Sequence, residues 1–297
     1  MAPRKPTDAG PATADRVTDY GDRATQAADR ATESGNRATN TPAAPAPAVS
    51  GAPPATTAPA PPKPRLAEIV VIDSNPQGPL VTDEVRDKSL PRVEQDLNRL
   101  YVSTPGKEAL KRGEGVIFKV TYRRTATSKP ERAAFSGLKY PIYILNGDDA
   151  SSYTTSADSI ENLMKDHGIS NTGRKEDIFQ RARDGWKDKS VEGLGIPAGV
   201  RPRQVGFIKA NHIYKARGEF VTLFRNIILH ELGHMFGQDH GDGVMKRAIV
   251  LADASLFYSE EQQAAIRANV HRTGLLQLAE EQAAERADRA AKAKKGP

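Results

Sequence analysis

The sequence predicts an α+β domain built on a mixed sheet, and three observations carry that reading. Large apolar side chains are almost absent from residues 1–64 and recur from Leu66 onward, so a single core of roughly 200 residues is expected, enough to bury a sizeable interior. The apolar runs switch between the two-residue period of strands and the 3.6-residue period of helices. Their spacing lacks the regularity of a doubly wound sheet.

Taken in order, the chain opens on a polar repeat of period seven: DRVTDYG (15–21), DRATQAA (22–28), DRATESG (29–35) and NRATNTP (36–42). No Leu, Ile or Phe occupies a seam position, so residues 1–40 are expected to be a disordered polar tail rather than a coiled coil. Residues 41–64 are rich in Pro and Ala and read as an extended spacer. The folded domain is expected over 65–275, with residues 276–297 a charged C-terminal helix or tail.

Within that domain, RLAEIVVIDS predicts a strand at 66–72. In SLPRVEQDLNRLYV, the stripe Leu90, Val93, Leu97, Leu100 and Tyr101 predicts a helix, with Ser89 as N-cap and Pro91 in its first turn. VIFKVTY (116–122) and YPIYIL (140–145) read as strands. SADSIENLMKDHG reads as a helix stopped by Gly168, and KEDIFQRARDGW as another. VGFIKANHIY (205–214) is extended, and FVTLFRNIILHELGHMF (220–236) is a long helix with an apolar face. Ser259 and Gln262 have capping-box spacing for a helix from about 260 to 270. From Leu275, Glu and Arg spaced for i,i+4 pairs predict an exposed helix.

The net charge of +6 and pI near 9.4 come from basic and acidic residues interleaved along the chain, which predicts a solvated surface and no nucleic-acid partner. No run approaches the roughly 20 apolar residues of a membrane span, so no span is expected. The start, MAPRKPTDAGPATADR, has no apolar core of a signal peptide, so the expected location is the cytoplasm or beyond it by another route. There is no cysteine, which excludes disulfides, thiolate metal ligands and a thiol nucleophile.

The chemistry concentrates in HELGHMFGQDH, residues 230–240, which holds three of the six histidines. On a helix His230 and His234 are one turn apart on one face, so two imidazole nitrogens can reach one Zn²⁺. Glu231 lies beside the first ligand, where it can act as general base toward a zinc-activated water. Gly237 supplies the positive φ of a sharp turn that brings His240 back as third ligand. Three neutral imidazoles leave a fourth position open, the mark of a catalytic zinc.

HExxHxxGxxH followed by a methionine turn, here ending at Met245 in GDGVMKR, resembles the metzincin zinc peptidases. The resemblance implies zinc endopeptidase activity on protein or peptide substrates. It also implies a mixed twisted sheet above a cleft, the active-site helix beneath it, and a small C-terminal subdomain ending in a helix. It covers residues 65 to about 275, and its specific part is 230–245. Gly241 follows the third histidine, and no tyrosine lies two positions after Met245, so no subfamily is assigned. In this family the pocket beyond the cleaved bond is walled by the segment after the methionine, here KRAIVLADASLFYS. Lys246 or Arg247 at its mouth would favour acidic substrate side chains.

The competing reading is a zinc-stabilised binding module in which the tails do the interacting; Glu231 argues for the enzyme, since a structural site has no use for it. The N-terminal architecture also suits a docking or delivery partner for residues 1–64, as in an injected bacterial effector or toxin. His212 and His271 read as surface or packing residues, and His167 as a favourable charge at a helix C-terminus.

Overall fold

The computed structural model describes residues 63–75, 78–125, 138–146, 157–169, 177–187, 193–197, 204–210, 220–246 and 253–294. The chain divides into two units, Met1–Pro59 and Ala60–Pro297, and every described residue belongs to the second. The expected tail, the spacer up to residue 62 and Arg247 lie outside the described residues, as does His212.

Among the described residues, five strands form one mixed sheet. They are β1 (Arg65–Ser74), β2 (Val116–Thr125), β3 (Leu138–Leu145), β4 (Gly193–Ile196) and β5 (Val205–Lys209). Their order is β2-β1-β3-β5-β4, with the first four parallel and β4 antiparallel at one edge. Six α-helices among the described residues accompany them: α1 (Asp83–Arg99), α2 (Thr104–Lys111), α3 (Ala157–Asp166), α4 (Ile178–Lys187), α5 (Phe220–Met235) and α6 (Glu260–Lys294). This mixed α/β architecture on a mixed sheet is consistent with the α+β domain expected from the spacing.

Strand alternation splits the apolar residues of β1 between two cores. Ala67, Ile69 and Val71 pack with α1 and α5, whereas Val70 and Ile72 pack with Ile160, Leu163 and Met164 of α3 and with Ile178, Ala182 and Trp186 of α4. A parallel sheet needs both faces covered, and these two layers of helices do that.

Several local details depart from the sequence reading. Helix α1 starts seven residues before Pro91's expected first turn: Thr82 is the N-cap, its hydroxyl accepting from Val85 N at 3.3 Å. Ser89 is not a cap but a buried interior residue, donating to the Val221 carbonyl at 2.8 Å and so tying α1 to α5. Helix α2 and strand β4 were not foreseen, because eight residues with a Pro and a Gly, or four reading GLGI, carry too little periodicity. The Ser259–Gln262 capping box forms as read, with reciprocal bonds of 2.9 and 3.3 Å.

The helix it starts does not stop near 270. It runs unbroken to Lys294, so the boundary read at 275/276 falls inside one element. Gly274 is buried in mid-helix, where an added Cβ would sit 2.7 Å from the Arg65 guanidinium, whose Nη2 donates to the Gly274 carbonyl at 2.8 Å. That glycine serves close approach rather than termination. Among the described residues no helix is long and apolar enough to cross a membrane.

Candidate metal centre

Helix α5 carries the first two histidines through the middle of the first core. Its residues 223–233 are all buried, polar ones included. It ends as a Schellman motif: Gln238 N donates to Gly233 O and Gly237 N to His234 O, each at 2.9 Å, with Gly237 at φ +80°. The chain thereby reverses over two residues and returns His240 to the histidines it has just left.

His230, His234 and His240 converge. Their ring centroids are 4.7, 4.8 and 5.3 Å apart, and one candidate ligand atom from each lies within 4.8 Å of the others. Two backbone carbonyls orient the helical pair: Nδ1 of His230 is 2.8 Å from the Val244 carbonyl, and Nδ1 of His234 is 2.8 Å from that of Gln238. A carbonyl can only accept, so each Nδ1 carries the proton and each Nε2 presents a lone pair. Those two Nε2 atoms face each other at 3.0 Å.

Two lone pairs so placed repel unless a cation lies between them, and tetrahedral Zn–N bonds of about 2.0 to 2.1 Å imply a nitrogen separation of about 3.3 Å. The donor set therefore fits a metal ion, and these three residues can hold one. Burial pushes both imidazoles below their usual range, His234 to about 3 with His230 adding to the effect. Both are neutral at pH 7, which is the ligating form.

Met245 closes a 3-10 turn, Gly243–Met245, beneath the centre. Gly243 stands at φ +63°, and Gly241 N donates to the Met245 carbonyl at 2.9 Å. The side chain of Met245 is fully buried against Gly233, where an added Cβ would collide with its sulfur. The turn has a second use: it presents the Val244 carbonyl that orients His230.

Glu231 is 3% exposed. Edge strand β4 lies directly over it, and two glycines make that approach possible. A Cβ on Gly193 would come 2.6 Å from Cδ of Glu231, and one on Gly195 would come 2.6 Å from Cβ of His234. The carboxylate is thus enclosed between the histidine-bearing helix and a strand with no side chains facing it.

The remaining residues considered from sequence sort plainly. Tyr258, in the segment after the methionine turn, is buried; its hydroxyl donates to the Leu229 carbonyl, and burial raises its pKa. Lys246 is exposed just past the turn. His167 bonds Tyr143 Oη at 2.9 Å and His271 is half-buried on α6; neither belongs to the histidine cluster.

Supports that sequence reasoning missed include Arg225, whose Nε and Nη2 each lie 2.7 Å from Oδ2 of Asp96. Its Nη1 donates to the Leu256 carbonyl at 2.8 Å, while Asn226 Nδ2 donates to that of Asp253 at 3.1 Å. Gln204 Nε2 takes up the Met235 carbonyl at the end of α5, at 2.7 Å. An Arg-Asn pair inside an apolar helical run was the one signal available for the first two.

No protein-family profile matches this chain, and no curated protein matches it significantly.

Proposed function

We propose that the protein is a zinc-dependent endopeptidase of metzincin type. The observation that carries this reading is a buried carboxylate, Glu231, one residue from a three-histidine centre whose helical imidazoles are locked by backbone carbonyls with Nε2 inward.

His230, His234 and His240 would hold the ion. A bound zinc supplies Lewis-acid polarisation of a water molecule and of a peptide carbonyl. The Glu231 carboxylate would accept a proton from an attacking water and return it to the departing amide nitrogen. Its enclosure by β4 keeps bulk water away and fixes its rotamer, so the proton moves over a short, set distance.

Substrate binding follows from the sheet. As the edge strand, β4 presents one row of backbone N–H and C=O groups unpaired among the described strands. An extended peptide can complete that row by strand addition, which gives affinity without sequence preference. Side-chain preference then falls to the pocket wall after Met245, where exposed Lys246 favours acidic residues.

The test is Glu231→Gln against wild type on an unfolded protein substrate, with bound zinc measured in both. The expected result is a loss of about 10²- to 10⁴-fold in turnover with zinc content unchanged. Equal residual activity in the two would sink the proposal.

A further inference from the structure

Away from the histidines, the end of β1 and the residue just after it hold two buried oxygens without hydrogen-bond donors. Asp73, next to the end of β1, is 0% exposed. Its Oδ2 is crowded with donors: Leu80 N at 2.8 Å, Val81 N at 3.3 Å and Tyr122 Oη at 2.9 Å. Its Oδ1 is equally buried and accepts no hydrogen bond. Two residues on, Asn75 repeats the pattern: Nδ2 donates to the Gly78 carbonyl at 2.9 Å, while Oδ1 is buried without a donor.

A bare carboxylate oxygen and a bare amide oxygen at i and i+2 are costly in a protein interior. Local compensation is incomplete, because burial pushes the Asp73 carboxyl above its usual range despite its three hydrogen bonds and the charge of Arg124.

The spacing around these residues has a chemical sense. From Asp73 the sequence reads DSNPQGPLVTDE, with oxygen-bearing Asp and Asn at positions one and three, Gly78 at six and Glu84 at twelve. Calcium loops of the pattern D-x-[DN]-x-[DN]-G-x₅-E place ligands at these positions and a glycine at the sharp turn. Gly78 takes φ +151°, and position twelve falls in the first turn of α1, which starts at Asp83. Two features differ from that pattern: the loop is entered from a strand, and Gln77 occupies position five. Glu84 is turned outward to Lys88 at 2.7 Å, so the buried pair, not Glu84, marks the site.

We propose that Asp73 and Asn75 are ligands of a hard divalent cation, calcium by preference, bound in the β1–α1 loop. All-oxygen donors exclude the soft-metal chemistry of an imidazole site and suit calcium's flexible coordination. The site is independent of the zinc reading: it would exist whether or not the histidines serve catalysis.

The experiment is calorimetric titration of the full chain with Ca²⁺, after one equivalent of Zn²⁺ has been added to occupy the histidines. One Ca²⁺ per chain is expected, with Kd on the order of 10⁻⁴ to 10⁻³ M for so small a set of charged ligands. Asp73→Asn should weaken binding at least about tenfold, and Asn75→Asp, which adds a charged oxygen at position three, should tighten it about tenfold. Terbium in place of calcium gives a second readout, since the Tyr122 ring is bonded to Asp73 and should sensitise its emission. The proposal is overturned by absence of binding at about 10 mM Ca²⁺, or by affinity that ignores both substitutions. If Asp73→Asn does not fold, Asn75→Asp decides alone: tighter binding supports the site, and unchanged affinity removes it.

Discussion

Along α5, every residue from 223 to 233 is buried; along α6, every side chain from 278 to 293 is exposed. Both stretches are helical, yet different forces make them so. The first has little choice of partners: Arg225 must meet Asp96, Asn226 must meet the Asp253 carbonyl, and Gly233 must leave room for Met245. The second is Ala-rich and carries its own i,i+4 pairs, Glu285 with Arg289 at 3.3 Å and Asp288 with Lys292 at 2.7 Å. Tertiary packing therefore supports the helix that carries His230 and His234, and local propensity supports the one that leads away from it.

The largest stability effect should come from breaking the charge pair that anchors α5. Asp96→Ala leaves the Arg225 guanidinium buried without its carboxylate, a change that costs about 3 to 5 kcal/mol. Denaturant unfolding checks it. A cost near that of a surface substitution would mean that α5 is held by apolar contact alone, and the contrast with α6 would weaken.

Next come the close-approach glycines, which test whether α5 is confined on the sides that bear on the proposed peptidase activity. Gly233→Ala drives a Cβ into the Met245 sulfur and should cost about 1 to 3 kcal/mol by overpacking. Gly193→Ala presses instead on the Glu231 carboxylate. It should lower kcat by about 10²-fold, as a misplacement near 1 Å does, while KM and bound zinc stay as they are. Zinc loss in Gly193→Ala would show that β4 supports the ligands rather than the base.

How much of this was legible follows the same division. HELGHMFGQDH announced its own geometry, because ligand spacing on a helix is a local property: Gly237 turns the chain and His240 returns, as the pattern required. The strands of the parallel sheet were legible from their β-branched runs. Strand β4 was not, since its glycines matter only through what they let Glu231 and His234 do, four decades of residues downstream. Ser89 misled for a related reason: a serine before a proline looks like a cap, and only the approach of Val221 gives its hydroxyl another acceptor. The carbonyls of Val244 and Gln238 have no side-chain signature at all, although they fix the tautomers of the site.

A smaller effect is expected at Lys246, the exposed cation just past the methionine turn. Lys246→Ala should reduce the preference for Asp or Glu after the cleaved bond by several fold in a peptide library, about the worth of one exposed charge pair. Indifference to acidic side chains in the wild type would remove this residue from substrate recognition without touching the metal centre.

The smallest effect belongs to the far end of α6. Its buried anchors stop at Gln277, and the segment beyond spans about 24 Å at 1.5 Å per residue, with no buried side chain from 278 to 293. Ending the chain after Leu278 should therefore change unfolding free energy by no more than about 0.5 kcal/mol, the usual scale for surface changes. Catalytic rate and zinc content should match wild type. A clear fall in either would mean that the outer helix supports the proposed site, and the separation between a packed α5 and a self-supporting α6 would no longer hold.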